Sequence, residues 1–193
     1  MRKIKGISCC FFLLFLLLCT GTLSPDDLDK RYIQAGILVD ESNYEKAIIL
    51  YREILKESSQ LDYLRISRIY NNIGFSYYKL NDLESALNYY KQALKIDGNY
   101  VVCLNNVAAV FLNQKKYREA LTYLTHAYTQ DGNNVKVSFN LFVAHANLEN
   151  KESAKFYLGR AFEIDEDYTI ERLKRNGLTD KQIKKIRNLK LLK

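Results

Sequence analysis

The stretch YNNIGFSYYKLND (residues 70–82) recurs in similar form thirty-four residues later as LNNVAAVFLNQKK (residues 104–116). A third similar stretch, FNLFVAHANLE, starts at Phe139. Each stretch combines apolar residues at helical spacing with polar residues, and the first two end in a polar turn. A fixed period of this size is typical of proteins built from stacked supersecondary units. The sequence therefore predicts a repeat array.

Small residues follow the same period through the middle of the chain. Two series of alanines have it: Ala86, Ala120, Ala154 and Ala93, Ala127, Ala161. Small side chains allow two helix axes to approach closely, so we expect these alanines where the two helices of one unit touch. Tyr90 lies between Ala86 and Ala93, and Tyr70 and Tyr77 precede both. We predict that these three tyrosines pack in the core and do not contact a ligand.

The pattern resembles the tetratricopeptide repeat (TPR), whose signature is W-x2-L-G-x2-Y, then A-x3-F, then P. The matching residues in the two best units are Tyr70, Ile73, Gly74, Tyr77, Ala86, Tyr90, Ala93 and Leu104, Val107, Ala108, Phe111, Ala120, Leu124, Ala127. The resemblance implies an all-α fold: a right-handed solenoid of about four helix-turn-helix units plus a C-terminal helix. We expect glycine or asparagine in residues 97–99 and 131–133 to close the second helix of each unit.

The predicted array covers residues 28–168, and its units are about residues 28–61, 67–100, 101–134 and 135–168. The first unit matches less well, because Ala47 precedes Ala86 by five residues more than the period. We place this excess at residues 58–61 and expect the next helix to start a turn early, near Asp62.

Residues 169–193 are predicted to form a basic C-terminal capping helix. Thr179 and Gln182 have the spacing of a capping box, which marks a helix start. Ile183, Ile186 and Leu189 form an apolar stripe that suits a cover for the last repeat, as solenoids require for solubility. The alternative is that the lysines around this stripe bind anionic headgroups or an acidic partner.

The net charge of +7 is unevenly distributed. Residues 171–193 hold nine lysines and arginines against two acidic residues, and three more basic residues lie within the first five positions. The rest of the chain has 17 basic and 20 acidic residues. A repeat body of this charge has no basic face, so we predict no nucleic-acid partner.

The first residues, MRKIKGISCCFFLLFLLLCTGTLS, combine a basic start with a short apolar run. This order is typical of an export signal, here residues 1–18, followed by a tether over residues 19–27. LLLC at residues 16–19 resembles the lipobox of bacterial lipoproteins, which implies lipid attachment at Cys19. The resemblance implies a membrane-anchored location in the bacterial cell envelope, facing the periplasm or the outside. Cleavage near residues 20–22 and an uncleaved anchor are the alternatives.

No catalytic, cofactor or metal-binding motif is present, so we predict that the protein is not an enzyme. The two histidines, His126 and His145, lie in different repeats. His145 occupies the position of Tyr77 and Phe111, which favours a packed ring over a metal ligand. Cys103, the one cysteine outside the N-terminal segment, is expected to be a small buried apolar residue.

In the TPR family the first helix of each unit lines a concave groove that holds a peptide or a partner's helix. The resemblance implies that the groove residues here are Arg68, Asn71, Phe75, Tyr78, Lys79, Val102, Asn105, Ala109, Leu112, Lys136, Phe139 and Val143. Apolar side chains, two asparagines and cations suit an extended peptide with one or two apolar anchors. We expect a non-catalytic adaptor of the cell envelope that binds a protein or peptide. The alternative is an envelope-assembly factor that binds peptidoglycan or a lipid-linked substrate.

Overall fold

The computed structural model of the chain describes residues 24–57, 59 and 61–188, and all regular secondary structure in these residues is helical. The predicted lipid-attachment residue Cys19 and the predicted signal at residues 1–18 lie outside them. The helices are α1 (Pro25–Asp40), α2 (Tyr44–Lys56), α3 (Tyr63–Lys79), α4 (Leu83–Ile96), α5 (Val101–Asn113), α6 (Tyr117–Gln130), α7 (Val135–Asn147), α8 (Lys151–Ile164), α9 (Glu166–Arg175) and α10 (Asp180–Asn188).

The chain divides into two compact units, and the boundary in the sequence falls between Leu61 and Asp62. In the first unit, α1 packs against α2 and buries Ala35, Ala47 and Tyr51. Helix α1 begins inside the stretch predicted as a tether. The Ser24 hydroxyl accepts a hydrogen bond from the backbone N–H of Asp27, and a proline follows at the first helical position, where its missing N–H costs nothing.

The second unit contains α3 to α10, and its first six helices form three successive hairpins. Helix α3 starts after Asp62, whose carboxylate accepts a hydrogen bond from the backbone N–H of Arg65 over 2.8 Å. It is 17 residues long, whereas α5 and α7 have 13. The early start expected from the five extra residues is therefore observed.

The small residues of the repeat lie where helices touch, as predicted. Ala86, Ala93, Ala120 and Ala127 are all fully buried. Gly74 has the closest neighbours, because a methyl group built there would lie 2.7 and 2.8 Å from ring carbons of Tyr90. Tyr90 is only 1% exposed, which confirms its predicted place in the core. Tyr70 and Tyr77 are half-buried and pack against the same cluster.

The backbone turns differ from the sequence-based expectation. Left-handed residues occur at the corners inside the helical hairpins, at Ser42, Asn81, Lys115 and Glu149. Helices α4 and α6 end directly before residues 97–99 and 131–133, as predicted, but the glycines at residues 98 and 132 do not adopt the positive φ of a left-handed cap. Those helices end instead in an extended residue, such as Asp97 with φ −130°.

Two helices, and not one, follow the last repeat. The Asp165 carboxylate accepts a hydrogen bond from the Tyr168 N–H and so starts α9, where acidic side chains also suit the helix dipole. The predicted capping box is present before α10: the Thr179 N–H donates to Gln182 Oε1 over 2.8 Å, and the Gln182 N–H donates to Thr179 Oγ1 over 3.4 Å. Ile183 is 4% exposed and packs against the apolar end of the last repeat.

Candidate peptide-binding groove

The first helices of the three hairpins in the second unit, α3, α5 and α7, are neighbours. Their shared face carries most of the residues predicted for ligand binding, and we refer to it as the groove. Residues at equivalent positions of α3 and α5 are 34 apart in the sequence, so the period that builds the hairpins also aligns the side chains on this face.

Asparagine amides link these helices directly. Asn106 Nδ2 on α5 donates to Asn71 Oδ1 on α3 over 3.0 Å, and Asn140 Nδ2 on α7 donates to Asn105 Oδ1 over 2.8 Å. Asn71 also donates to the side chain of Asn72 over 3.3 Å. The two predicted groove asparagines, Asn71 and Asn105, are therefore held in fixed orientations by the next repeat.

Apolar side chains lie along the same face. Phe75 and Tyr78 on α3, Ala109 and Leu112 on α5, and Val143 on α7 are all half-buried. Half-burial leaves each side chain one accessible side, while the other side contacts the protein. Tyr78 and Leu112, for example, pack on the cores of their own hairpins. These residues supply the apolar surface expected of a peptide site.

Positively charged side chains lie toward the ends of the predicted groove. Arg68 and Lys79 are exposed on α3, and Lys136 is exposed in the first turn of α7. Long flexible side chains of this kind can reach a ligand that lies on the face between them. Asn71, by contrast, is only 4% exposed, so its amide acts mainly through its two asparagine neighbours.

A depression of about 330 Å³ opens between α5 and the start of α7. Its lining brings together three predicted groove residues, Val102, Asn105 and Lys136. The remaining lining residues are Asn106, Asp131, Asn133, Asn134 and Val135. This volume suits one side chain of a ligand, and the mixture of amides, a cation and valines suits a partly polar one.

Phe139 does not belong to the groove. Its side chain is fully buried in a cluster with Leu158, Phe162, Leu173 and Ile183. The guanidinium carbon of Arg172 on α9 lies 5.5 Å from the centre of the Phe139 ring. Helices α9 and α10 cover the ring, so a ligand has no access to it. The sequence placed Phe139 correctly on α7 but could not show that α9 and α10 cover its ring.

The histidines and the cysteine of the described residues are held by packing and hydrogen bonds. No three of the histidines, cysteines, aspartates and glutamates there come close enough to hold a metal ion. Burial raises the pKa of the Cys103 thiol to about 12, and the thiol donates to the backbone oxygen of Tyr90. His145 stacks on Tyr157 with ring centres 5.4 Å apart, and burial lowers its pKa.

Sequence reasoning missed the loop before α7 as part of the site. The turn at residues 131–134 places Asp131, Asn133 and Asn134 at the edge of the depression. Asp131 Oδ1 accepts a hydrogen bond from the Asn133 N–H, and Asn134 Oδ1 caps the Val137 N–H. The high content of asparagine and aspartate in this turn could have indicated a fixed loop beside the groove, because such residues stabilise turns through their own side chains.

Sequence profiles of known families match most of the array. Three profiles described as tetratricopeptide repeat match residues 31–99, 101–129 and 139–168. The chain belongs to the tetratricopeptide repeat family. The TPR scaffold is typical of proteins that bind other proteins or peptides and are not themselves enzymes.

Among curated proteins, the TPR chain is similar to ycf37 of Porphyra purpurea, with 34% identity over 92 residues. That match covers 46% of this chain and 53% of ycf37, so the chain spans about half the length of the curated relatives it matches.

Solved structures show the same fold. The TPR chain resembles residues 41 to the end of MamA from Desulfovibrio magneticus RS-1, with a TM-score of 0.64, 17% identity, and coverage of 85% of this chain and 96% of that one. It also resembles YrrB, described as a TPR protein with an unusual peptide-binding site, with a TM-score of 0.60 and 20% identity. The YrrB match covers 78% of this chain and 76% of YrrB. No helix among the described residues has both the length and the apolar composition that a bilayer crossing requires.

Proposed function

We propose that this protein is a non-catalytic adaptor that binds an extended segment of a protein partner in the groove of α3, α5 and α7. One observation carries the proposal: hydrogen bonds from Asn106 and Asn140 fix the amides of Asn71 and Asn105, and the half-buried Asn105 lies on the same face as apolar side chains that remain partly open. Fixed amides are suited to the N–H and C=O groups of a peptide backbone, and the apolar side chains are suited to its anchors.

The depression beside Asn105 supports the same reading. It offers an open place for a ligand side chain, bounded by Val102 and Lys136, next to the Asn105 amide. YrrB has the same fold and carries a peptide-binding site, which makes peptide binding the first activity to test in this chain.

The test is capture of partners by chemical crosslinking in the native cell, followed by mass spectrometry. We expect Phe75→Ala combined with Asn105→Ala to lower the yield of captured partner at least about tenfold, because it removes an apolar contact and a backbone hydrogen bond. The matched control is Phe156→Ala with Asn88→Ala. These residues are exposed on the second helices α8 and α4.

Circular dichroism of both double variants shows whether each retains the helical fold. If the groove variant stays folded and captures every partner as well as the control does, the groove assignment is wrong. Loss of capture in both variants would place the binding surface elsewhere on the array.

We further propose that the adaptor is a lipoprotein of the bacterial cell envelope, tethered through Cys19. The support lies in the sequence, where a basic start and a short apolar run precede LLLC at residues 16–19. We expect Cys19→Ser to abolish incorporation of labelled palmitate, with Cys103→Ser as the control that retains it. Label retained in the Cys19 variant would exclude lipid attachment at this residue.

A further inference from the structure

Helix α10 has two opposite sides of very different character. With 3.6 residues per turn, Ile183 and Ile186 fall on one side, and Lys181, Lys184 and Lys185 fall on the other. The isoleucines pack into the cluster around Phe139, and the three lysines are exposed. The described isoleucines of this helix therefore pack against the repeat array, and its cationic side faces outward.

The acidic residues nearby are already engaged with other cations. Asp180 pairs with Lys174 over 2.7 Å, and Glu166 pairs with Arg187 over 3.0 Å. Glu171 pairs with Arg175 one turn away on α9. No ion pair in the described residues involves Lys181, Lys184 or Lys185. Their charge is uncompensated on one continuous stripe.

From this arrangement we infer that the lysine stripe of α10 docks the end of the array on an anionic lipid surface. An open depression of about 300 Å³, lined by Ile170, Asp180, Ile183, Lys184 and Arg187, touches the stripe at Lys184 only. Lys181 and Lys185 lie outside it, so the stripe as a whole is suited to a surface of continuous negative charge and not to one shaped ligand. Lysine carries a compact, mobile charge, whereas arginine is favoured where planar bidentate recognition is needed. The side chains on the buried face cannot insert into the bilayer, so the attraction is electrostatic.

The strength of such docking follows from the number of cations. Each lysine near an anionic membrane raises binding about fivefold, so three raise it about 100-fold at low salt. The attraction is lost as salt increases, because the screening length falls from about 10 Å at 0.1 M to about 3 Å at 1 M. This behaviour distinguishes it from anchoring by an apolar segment, which salt does not weaken.

The test uses the full chain incorporated into vesicles and measures the acetylation of individual lysines by mass spectrometry. One set of vesicles is phosphatidylcholine alone, and the other contains about 30% phosphatidylglycerol, enough to give a charged surface. We expect labelling of Lys181, Lys184 and Lys185 to fall about tenfold on the anionic vesicles at 0.05 M salt and to recover at 1 M. Exposed lysines on α4 and α8, Lys91, Lys95 and Lys151, should label equally in every condition.

A second arm replaces the three α10 lysines by glutamine, with glutamine at Lys91, Lys95 and Lys151 as the control of equal charge change. Protection of residues 188–193 from proteolysis on anionic vesicles should be lost only in the first variant. Equal labelling of the stripe on both kinds of vesicle would overturn the inference. Protection by added polyglutamate, without protection on anionic vesicles, would also overturn it and identify an acidic polypeptide as the partner.

Discussion

The hairpins α3–α4 and α5–α6 differ from α7–α8 at positions that the 34-residue period makes equivalent. Asn71 and Asn105 carry amides that accept a hydrogen bond from the next repeat, whereas Phe139 at the corresponding position of α7 is buried beneath α9 and α10. A second difference is in residue type: Tyr77 and Phe111 stack on tyrosines of their own hairpins, whereas a histidine, His145, stacks on Tyr157 at the equivalent position.

The difference shows that a repeat position decides where a side chain lies but not what covers it. A groove residue of one hairpin becomes a core residue in another when extra helices pack over that face. The following predictions change the residues at which the hairpins differ, in order of decreasing expected effect.

Phe139→Ala should have the largest effect, because the ring is fully buried and contacts both terminal helices. We expect the free energy of unfolding to fall by about 3–5 kcal/mol, measured by urea denaturation. Phe156→Ala is the control, since Phe156 is 55% exposed and should change stability by less than about 1 kcal/mol. A loss below about 1 kcal/mol for Phe139→Ala would mean that α9 and α10 do not cover this ring.

Gly74→Ala should be destabilising by about 1–3 kcal/mol, since the new methyl group would overlap the ring of Tyr90. At the positions equivalent to Gly74 and Tyr90, the next hairpin has Ala108 and Leu124, and both are buried. A double-mutant cycle with Tyr90→Leu should therefore show that the methyl group costs much less once the ring is gone. Additive effects in this cycle would locate the cost elsewhere.

His145→Phe should make the third hairpin less sensitive to pH. Burial lowers the pKa of His145 in the folded state, and Asn150 Nδ2 lies 3.3 Å from its Nδ1. The unfolded chain, with an ordinary histidine pKa near 6.5, then binds the proton better, so stability is lost as pH falls below about 6.5.

Melting temperatures between pH 7.5 and 5 measure this effect. The variant, which copies Phe111 of the preceding hairpin, should lose less stability than the wild type over this range. Parallel slopes for wild type and His145→Phe would show that His145 titrates alike in both states.

Ser138→Ala should have the smallest effect. Ser138 occupies the position of Leu104, and its hydroxyl is fully buried without a hydrogen-bond partner in the described residues. Removing an unsatisfied hydroxyl should leave stability unchanged or raise it by up to about 1 kcal/mol. Ser67→Ala is the comparison: its hydroxyl donates to the Ala93 oxygen over 3.1 Å, so urea denaturation should show a loss of about 1 kcal/mol.

Much of the fold was predictable because its determinants are local. The alanine series identified the contact between paired helices, and the excess of five residues before Ala86 correctly gave an early start for α3. The left-handed corners were not predicted, since Lys115 and Glu149 adopt a conformation usually associated with glycine or asparagine.

The candidate site was less predictable because it depends on contacts outside the period. Helices α9 and α10 have no counterpart in the repeat pattern, and their packing at the end of the last repeat removes Phe139 from the accessible surface. The depression at residues 131–136 likewise depends on how a turn folds against the preceding helix. A periodic pattern carries no information on either contact.

The asparagine hydrogen bonds between repeats all point the same way along the array, from the later helix to the earlier one. A primary amide has an oxygen on one edge and an NH2 group on the other, so reversing one member would set like groups against each other. The two directions along α3, α5 and α7 are therefore chemically distinct. A strand bound in the proposed groove would meet donors and acceptors in a different order if its direction were reversed, so the proposed site predicts a preference for one chain polarity.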